Sequence, residues 1–143
     1  MKIIVNGTFD ILHRGHLEML QYAKSLGSYL LVCIDSDERV KQLKGPERPI
    51  NNQSDRMFML NSLKCVDYVK IFNTKDELID LIKLYNPDIM VKGSDWKGKS
   101  IVAQEHVKNV IFYDRSNDYS TTKTIQDIFD RRQLQRYLSI RYY

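Results

Sequence analysis

Short runs of aliphatic and β-branched residues alternate along the chain with stretches whose apolar positions recur every three or four residues. Lys2-Ile3-Ile4-Val5 reads as a buried strand. Over residues 17–26, Leu17, Leu20, Ala23 and Leu26 form a helical stripe, and Gly27 reads as its stop. Residues 29–34 are apolar throughout, as a strand covered on both faces is. A polar stretch follows over 35–55, with a short helix at 38–43. Lys44-Gly45-Pro46-Glu47-Arg48-Pro49 is broken into a basic loop by its glycine and prolines. Ser54-Asp55 opens a helix through Leu63, and residues 67–72 form a third strand. Residues 75–85 are helical, with Leu78, Ile79, Leu81 and Ile82 apolar and Pro87 as the end. Residues 88–91 and 109–113 supply a fourth and a fifth strand. Ser120-Thr121-Thr122 starts a last helix that reaches Phe129 or beyond, and residues 137–143 read either as an extension packed on a neighbour or as disordered.

This alternation predicts an α/β fold: a mostly parallel sheet with helices on both faces and right-handed crossovers. The 143 residues suit one domain, taken as 1–130 with a C-terminal extension over 131–143. No apolar run is long enough for a membrane span, and the N-terminus is broken too soon for a signal peptide, so a cytoplasmic protein is expected. Cys33 and Cys65 sit in apolar runs at a spacing that matches no metal or redox motif, and read as reduced core thiols. The net charge of +4 fits either nucleic acid or a pocket built for phosphates. The cations are spread along the chain, except at Arg131, Arg132, Arg136 and Arg141, which favours the phosphate pocket.

In such a sheet, ligands bind beyond the carboxyl ends of the strands. The first strand is followed by Asn6-Gly7-Thr8-Phe9-Asp10-Ile11-Leu12-His13-Arg14-Gly15-His16, the second by Asp35, Asp37 and the Lys44 loop. The fourth is followed by Lys92-Gly93-Ser94-Asp95-Trp96, and the fifth by Asp114-Arg115 and the Ser120 helix start. These segments converge on one edge. Gly7 permits close approach of a ligand, and Thr8 offers a hydroxyl. His13 and His16, three apart near a helix start, can project to one side, where imidazoles and the helix N-terminus suit phosphate oxygens. The plainer alternatives are surface or capping histidines, or a metal site, for which no third ligand is evident. Lys44 and Arg48 read equally as a phosphate clamp or as a solvated charge run. Arg56 fits a functional contact or a salt bridge. Trp96, the sole tryptophan, fits a base stack or core packing. Ser120, Thr121 and Thr122 fit an anion site or simple N-capping.

The segment from Gly7 to His16 resembles the signature of the cytidylyltransferase-like nucleotidyltransferases. The resemblance continues in order through Lys44, Arg56, Val91-Lys92-Gly93-Ser94-Asp95-Trp96 and Ser120-Thr121-Thr122, covering nearly everything from Lys2 to Ile128. It implies a Rossmann-like, doubly wound, parallel five-stranded sheet, a homodimer, and Mg²⁺ carried with the nucleotide. It places His13 and His16 on the triphosphate and its transition state, with Lys44 also catalytic. Gly7, Thr8, Phe9, Asp10, Gly15 and Arg56 would contact the nucleotide. Gly93, Asp95, Trp96 and Arg115 would surround base and ribose, with Ser120, Thr121 and Thr122 on the phosphates. Lys44 and Arg48 would meet the acceptor.

Two branches of the family compete. Leu43-Lys44-Gly45, Arg48-Pro49-Ile50-Asn51, Val66-Asp67-Tyr68-Val69 and the stretch from Pro87 to Gly93 resemble heptose 1-phosphate adenylyltransferases, which use ATP. Asp95-Trp96-Lys97-Gly98-Lys99 and Arg115 resemble glycerol-3-phosphate cytidylyltransferase, which uses CTP. The first set is longer, so ATP and a sugar 1-phosphate are expected, with no sugar kinase domain in the chain.

The reaction expected is in-line attack of an acceptor phosphate on the α-phosphorus with loss of pyrophosphate, driven by positioning and charge stabilisation. A class I aminoacyl-tRNA synthetase is disfavoured by length. An NAD-binding domain is disfavoured because no Gly-x-Gly-x-x-Gly occurs. A non-catalytic nucleic-acid binder explains the charge but not the glycine-histidine loop.

Overall fold

The computed structural model describes residues 1–115 and 119–141. Five strands, β1 (Lys2–Gly7), β2 (Tyr29–Asp35), β3 (Tyr68–Phe72), β4 (Ile89–Gly93) and β5 (Asn109–Tyr113), form one sheet in the order β3-β2-β1-β4-β5. All four pairings are parallel. The five helices are α1 (Arg14–Ser25), α2 (Asp37–Lys44), α3 (Gln53–Asn61), α4 (Lys75–Tyr85) and α5 (Thr121–Arg141). The sheet is therefore Rossmann-like and doubly wound, as expected. The strand order reverses at β1, which lies between β2 and β4, so a crevice opens beyond the carboxyl ends of β1 and β4.

Alternation along the strands splits the core between the two faces. Ile3, Val5, Val32, Ile34 and Val91 pack with Met19, Leu20 and Ala23 of α1 and Leu60 of α3. Ile4, Leu31, Cys33 and Met90 pack on the other face with Leu78 and Ile82 of α4. Each such fully buried side chain contributes roughly 1.5–3 kcal/mol, enough to hold the strand register that sets the cleft.

Helix starts follow cap chemistry more closely than apolar periodicity. Ser36 Oγ accepts from Arg39 N (3.2 Å), Asn52 Oδ1 from Asp55 N (2.9 Å) and Thr74 Oγ1 from Glu77 N (3.1 Å). Three expectations are corrected. The first helix begins three residues earlier, at Arg14, because His13 caps it. It ends at Ser25 with Leu26 as C-cap, so Gly27 follows the cap directly, as expected; a side chain there would also collide with the Met1 carbonyl. Lys44 belongs to the last turn of α2 rather than to the loop, which starts at Gly45 with φ 102°. Cys65 is only half-buried, whereas Cys33 is core, its thiol pushed up to about 12 by burial. Two short 3-10 turns, Ser94–Trp96 and Gln104–His106, were not expected. The last helix runs unbroken across residue 130 to Arg141. Among the described residues, no helix is long and apolar enough to cross a membrane.

Candidate active site

The convergent loops enclose one cleft of about 510 Å³ at the β1/β4 crevice, within the roughly 300–1,000 Å³ typical of small-molecule sites. Its floor is the loop that links β1 to α1. His13 is the N-cap of α1, with extended backbone at φ −136° and ψ 170°. Its Nδ1 accepts from His16 N at 3.4 Å, and His16 Nδ1 accepts from His13 N at 3.3 Å. This is a capping box built from two imidazoles. The rings stack 3.7 Å apart, which leaves no room between them and Tyr119 for a side chain at Gly15; a Cβ there would meet both at 3.1 Å.

The cap decides the chemistry of these rings. With Nδ1 accepting, a neutral imidazole carries its proton on Nε2. Burial pushes the His16 pKa down to about 3, and His13, Arg115 and Lys44 add to the effect. His13 is lowered as well, by burial and then by Arg115. Both histidines therefore stay neutral near pH 7 and line the cleft as Nε2–H donors. Capping and ligand binding, set against each other as readings of the sequence, are performed by different nitrogens of the same rings.

Phe9 adopts the left-handed conformation (φ 51°) and is buried over Gly7, with its ring 5.1 Å from that of His16. Thr8 Oγ1 donates to Asp35 at 3.2 Å. On the far wall, a Cβ at Gly93 would lie 2.5 Å from Asp95 Oδ1 and 3.5 Å from the Arg115 guanidinium, so a side chain there would displace the Asp95 carboxylate while leaving Arg115 in ordinary contact. Arg115 Nε is buried without a hydrogen-bond partner among the described residues. Ser120 caps α5 by accepting from Lys123 N at 3.0 Å, while Thr121 Oγ1 donates to Ile11 O at 3.2 Å. With Thr122 they still border the cleft, so the helix N-terminus faces it. Trp96 is 39% exposed on the rim, which removes core packing as its role.

Lys44 is solvent-exposed at the edge of the cleft it lines, its pKa lowered by partial desolvation and by Arg48, with Asp35 and Asp10 acting in the opposite sense. Arg48 also lines the cleft, held at 3.2 Å by Asp10.

Two expected nucleotide contacts are placed differently. Asp10 is 2% exposed, and its carboxylate accepts from Arg48 Nε, Ile50 N and Asn51 N, the last two at 2.8 Å. It pins the basic loop to the β1 loop. Arg56 is fully buried below the cleft. Its guanidinium donates to Asn51 O, Thr8 O, Asp35 O and Asp37 Oδ1 at 2.8–3.0 Å. Four of its five N–H donors are met by acceptors within the fold, so this fully buried cation ties three segments together.

Residues 4–134 match the Cytidylyltransferase-like family. The chain belongs to that family. It is a nucleotidyltransferase. It is 49% identical over 124 residues to the bifunctional protein HldE of Nitratiruptor sp., 48% identical over 126 residues to HldE of Campylobacter fetus, and 45% identical over 126 residues to HldE of Helicobacter pylori strain P12. These matches cover 87–88% of this nucleotidyltransferase but 27% of each relative, so the chain spans about a quarter of their length. A crystal structure of the lipopolysaccharide core biosynthesis protein from Thermoplasma volcanium superposes with a TM-score of 0.67 at 27% identity, covering 84% of this chain and 98% of that one.

Sequence reasoning placed Asn6, Asp35 and Lys92 in the convergent segments of the nucleotidyltransferase but gave them no role. They lie at or next to the ends of three buried strands, and all line the cleft. The available signal was the polar residue that closes each apolar run.

Proposed function

We propose that this nucleotidyltransferase transfers AMP from ATP to a heptose 1-phosphate and releases pyrophosphate. The observation that carries the reaction is the pair of neutral Nε2–H donors at the N-terminus of α1, with Lys44 and Arg48 on one side and Arg115 with the α5 N-terminus on the other. That arrangement suits a triphosphate whose α-phosphorus is attacked by a second anion. One acceptor phosphate oxygen bonds to the α-phosphorus, the bond to the bridging β-oxygen breaks, and pyrophosphate leaves with that electron pair. The acceptor phosphate is already an anion, so no general base is required. His13 and His16 donate to oxygens that gain charge in the transition state, and Lys44 and Arg48 bring the two anions together.

Mg²⁺ belongs to this reading as an ion delivered on the triphosphate. The described residues contain no group of three or more side chains suited to a metal, and the phosphate side of the cleft offers donors, which fit the nucleotide oxygens that the ion leaves free. The ion supplies charge neutralisation on those oxygens.

The sugar acceptor is supported by the long run of residues shared with heptose 1-phosphate adenylyltransferases and by the likeness to HldE proteins. A homodimer is part of the same reading: α5 carries Phe129, Leu134, Leu138 and Ile140 exposed, apolar surface that a second copy would cover. A cytoplasmic location fits a donor and acceptor that are both soluble metabolites. A second reading, CTP with glycerol 3-phosphate, is favoured by Trp96 on the rim beside Lys99, whose ammonium lies 5.8 Å from the ring. A pyrophosphate-release screen of ATP and CTP against heptose 1-phosphate and glycerol 3-phosphate decides: release with ATP and the heptose is expected, and release only with CTP and glycerol 3-phosphate overturns the reading.

A further inference from the structure

Lys92 is a cation in an unusual place. It is 6% exposed at the carboxyl end of β4, and among the described residues no carboxylate lies within ion-pair distance. Its ammonium sits 4.6 Å from the Trp96 ring centre. Burial lowers its pKa to about 8, against the opposing pull of Asp35 and Asp95. A buried charge without a partner is costly unless something completes its shell.

Strand alternation shows what surrounds it. Lys92 follows Met90 by two residues, Asn6 follows Ile4, and Asp35 follows Cys33; those three core residues pack on the α4 face. Asn6 and Lys92 are therefore neighbours across β1 and β4 on that face, and Asp35 lies on the same face of β2, two residues beyond Cys33, the register partner of Asn6. The histidines lie beyond the opposite face, on α1. On the same face, Asn6 Oδ1 is buried without a hydrogen-bond partner among the described residues. Asp35, 8% exposed, accepts from Thr8 Oγ1 and from Arg39 Nε, which leaves acceptor capacity on a carboxylate. This face thus offers an ammonium donor and an amide about one strand spacing (~4.8 Å) apart, with a carboxylate acceptor a further two residues (~6.6 Å) along β2. Neighbouring hydroxyls of a polyol match such a set, each giving one hydrogen and taking another. A triphosphate does not, because Asp35 would repel it.

We infer that Lys92, Asn6 and Asp35 bind the hydroxyls of the phosphorylated acceptor, so that its phosphate meets Lys44 and Arg48 and points towards the histidines. This rests on the nucleotidyltransferase reading of the cleft and names the part of it that recognises the sugar or polyol body.

The test uses Lys92→Met and Lys92→Arg in the full chain. Trp96, the only tryptophan, reports binding by fluorescence while heptose 1-phosphate, glycerol 3-phosphate or inorganic phosphate is added. Lys92→Met is expected to weaken heptose 1-phosphate roughly 10- to 100-fold, the loss of one charge-assisted hydrogen bond. It should leave inorganic phosphate unchanged, since that ion has no polyol body. The Arg variant should recover part of the loss. In turnover, KM for the acceptor should rise by a similar factor while KM for the nucleotide holds. Thermal melting should show Lys92→Met at least as stable as the parent, because a buried unpaired cation is removed. Equal weakening of inorganic phosphate, a raised nucleotide KM instead, or a lower Tm with unchanged acceptor binding each overturns the assignment. The binding arm holds even if pyrophosphate release were absent, so failure of the reaction class is read separately.

Discussion

His13 and His16 cap one helix with reciprocal hydrogen bonds, and their rings stack 3.7 Å apart. The cap fixes both tautomers and both orientations, so two Nε2–H donors are assembled before any ligand arrives. His16→Ala should lower kcat by roughly 10²–10³, the usual loss for one such donor, as measured by pyrophosphate release. A kcat near that of the parent would remove His16 from the chemistry.

The same ring gives stability a pH dependence. Folding lowers the His16 pKa from 6.5 to about 3, so the unfolded chain binds more protons between those values. His16 therefore favours the folded state above its unfolded pKa, and that advantage is lost as pH falls from 6.5 through about 3. The slope is at most about 1.4 kcal/mol per pH unit for one proton. Urea unfolding at about pH 7 and about pH 5 should show this fall in the parent and less of it in His16→Asn; equal slopes in both would contradict the neutral, buried imidazole.

Arg56 should matter for folding rather than for ligand. Arg56→Ala strands four acceptors and should cost about 3–5 kcal/mol, as loss of one member of a buried ion pair does. Near-normal stability with a raised nucleotide KM would return Arg56 to the nucleotide.

What was legible in the sequence depended on periodicity. The strands at 109–113 and the helix at 75–85 match the structure at both ends, because apolar runs and a proline bound them. Elements whose limits are set by side-chain caps were misjudged: no apolar signal marks His13 as an N-cap or keeps Lys44 in a helix. The cleft's location was legible from the loops after each strand. The division of labour within it was not. Asp10 and Arg56 look like ligand groups until their hydrogen bonds are seen to be used inside the fold. Asn6 and Lys92 look like the ends of apolar strands until the alternation of faces puts them on the same face as Asp35.

Gly93 tests the nucleotide wall. A methyl group there would force the Asp95 carboxylate to move, and a displacement of about 1 Å costs roughly 10²-fold in turnover. Gly93→Ala should therefore cut kcat/KM for the nucleotide by about that factor with little change in Tm. Unchanged kinetics would show that base and ribose bind elsewhere.

Lys44→Ala tests the basic wall and should lower kcat or raise acceptor KM; unaltered values for both would make Lys44 a bystander of the cleft.

The most direct test of nucleotidyl transfer is chromatography of the products formed from ATP carrying a radioactive α-phosphorus and heptose 1-phosphate. The label should appear in a new nucleoside diphosphate sugar, whose second phosphorus is the acceptor's own, with pyrophosphate unlabelled. Label retained in ATP with every acceptor tried, or released as free AMP, would contradict it.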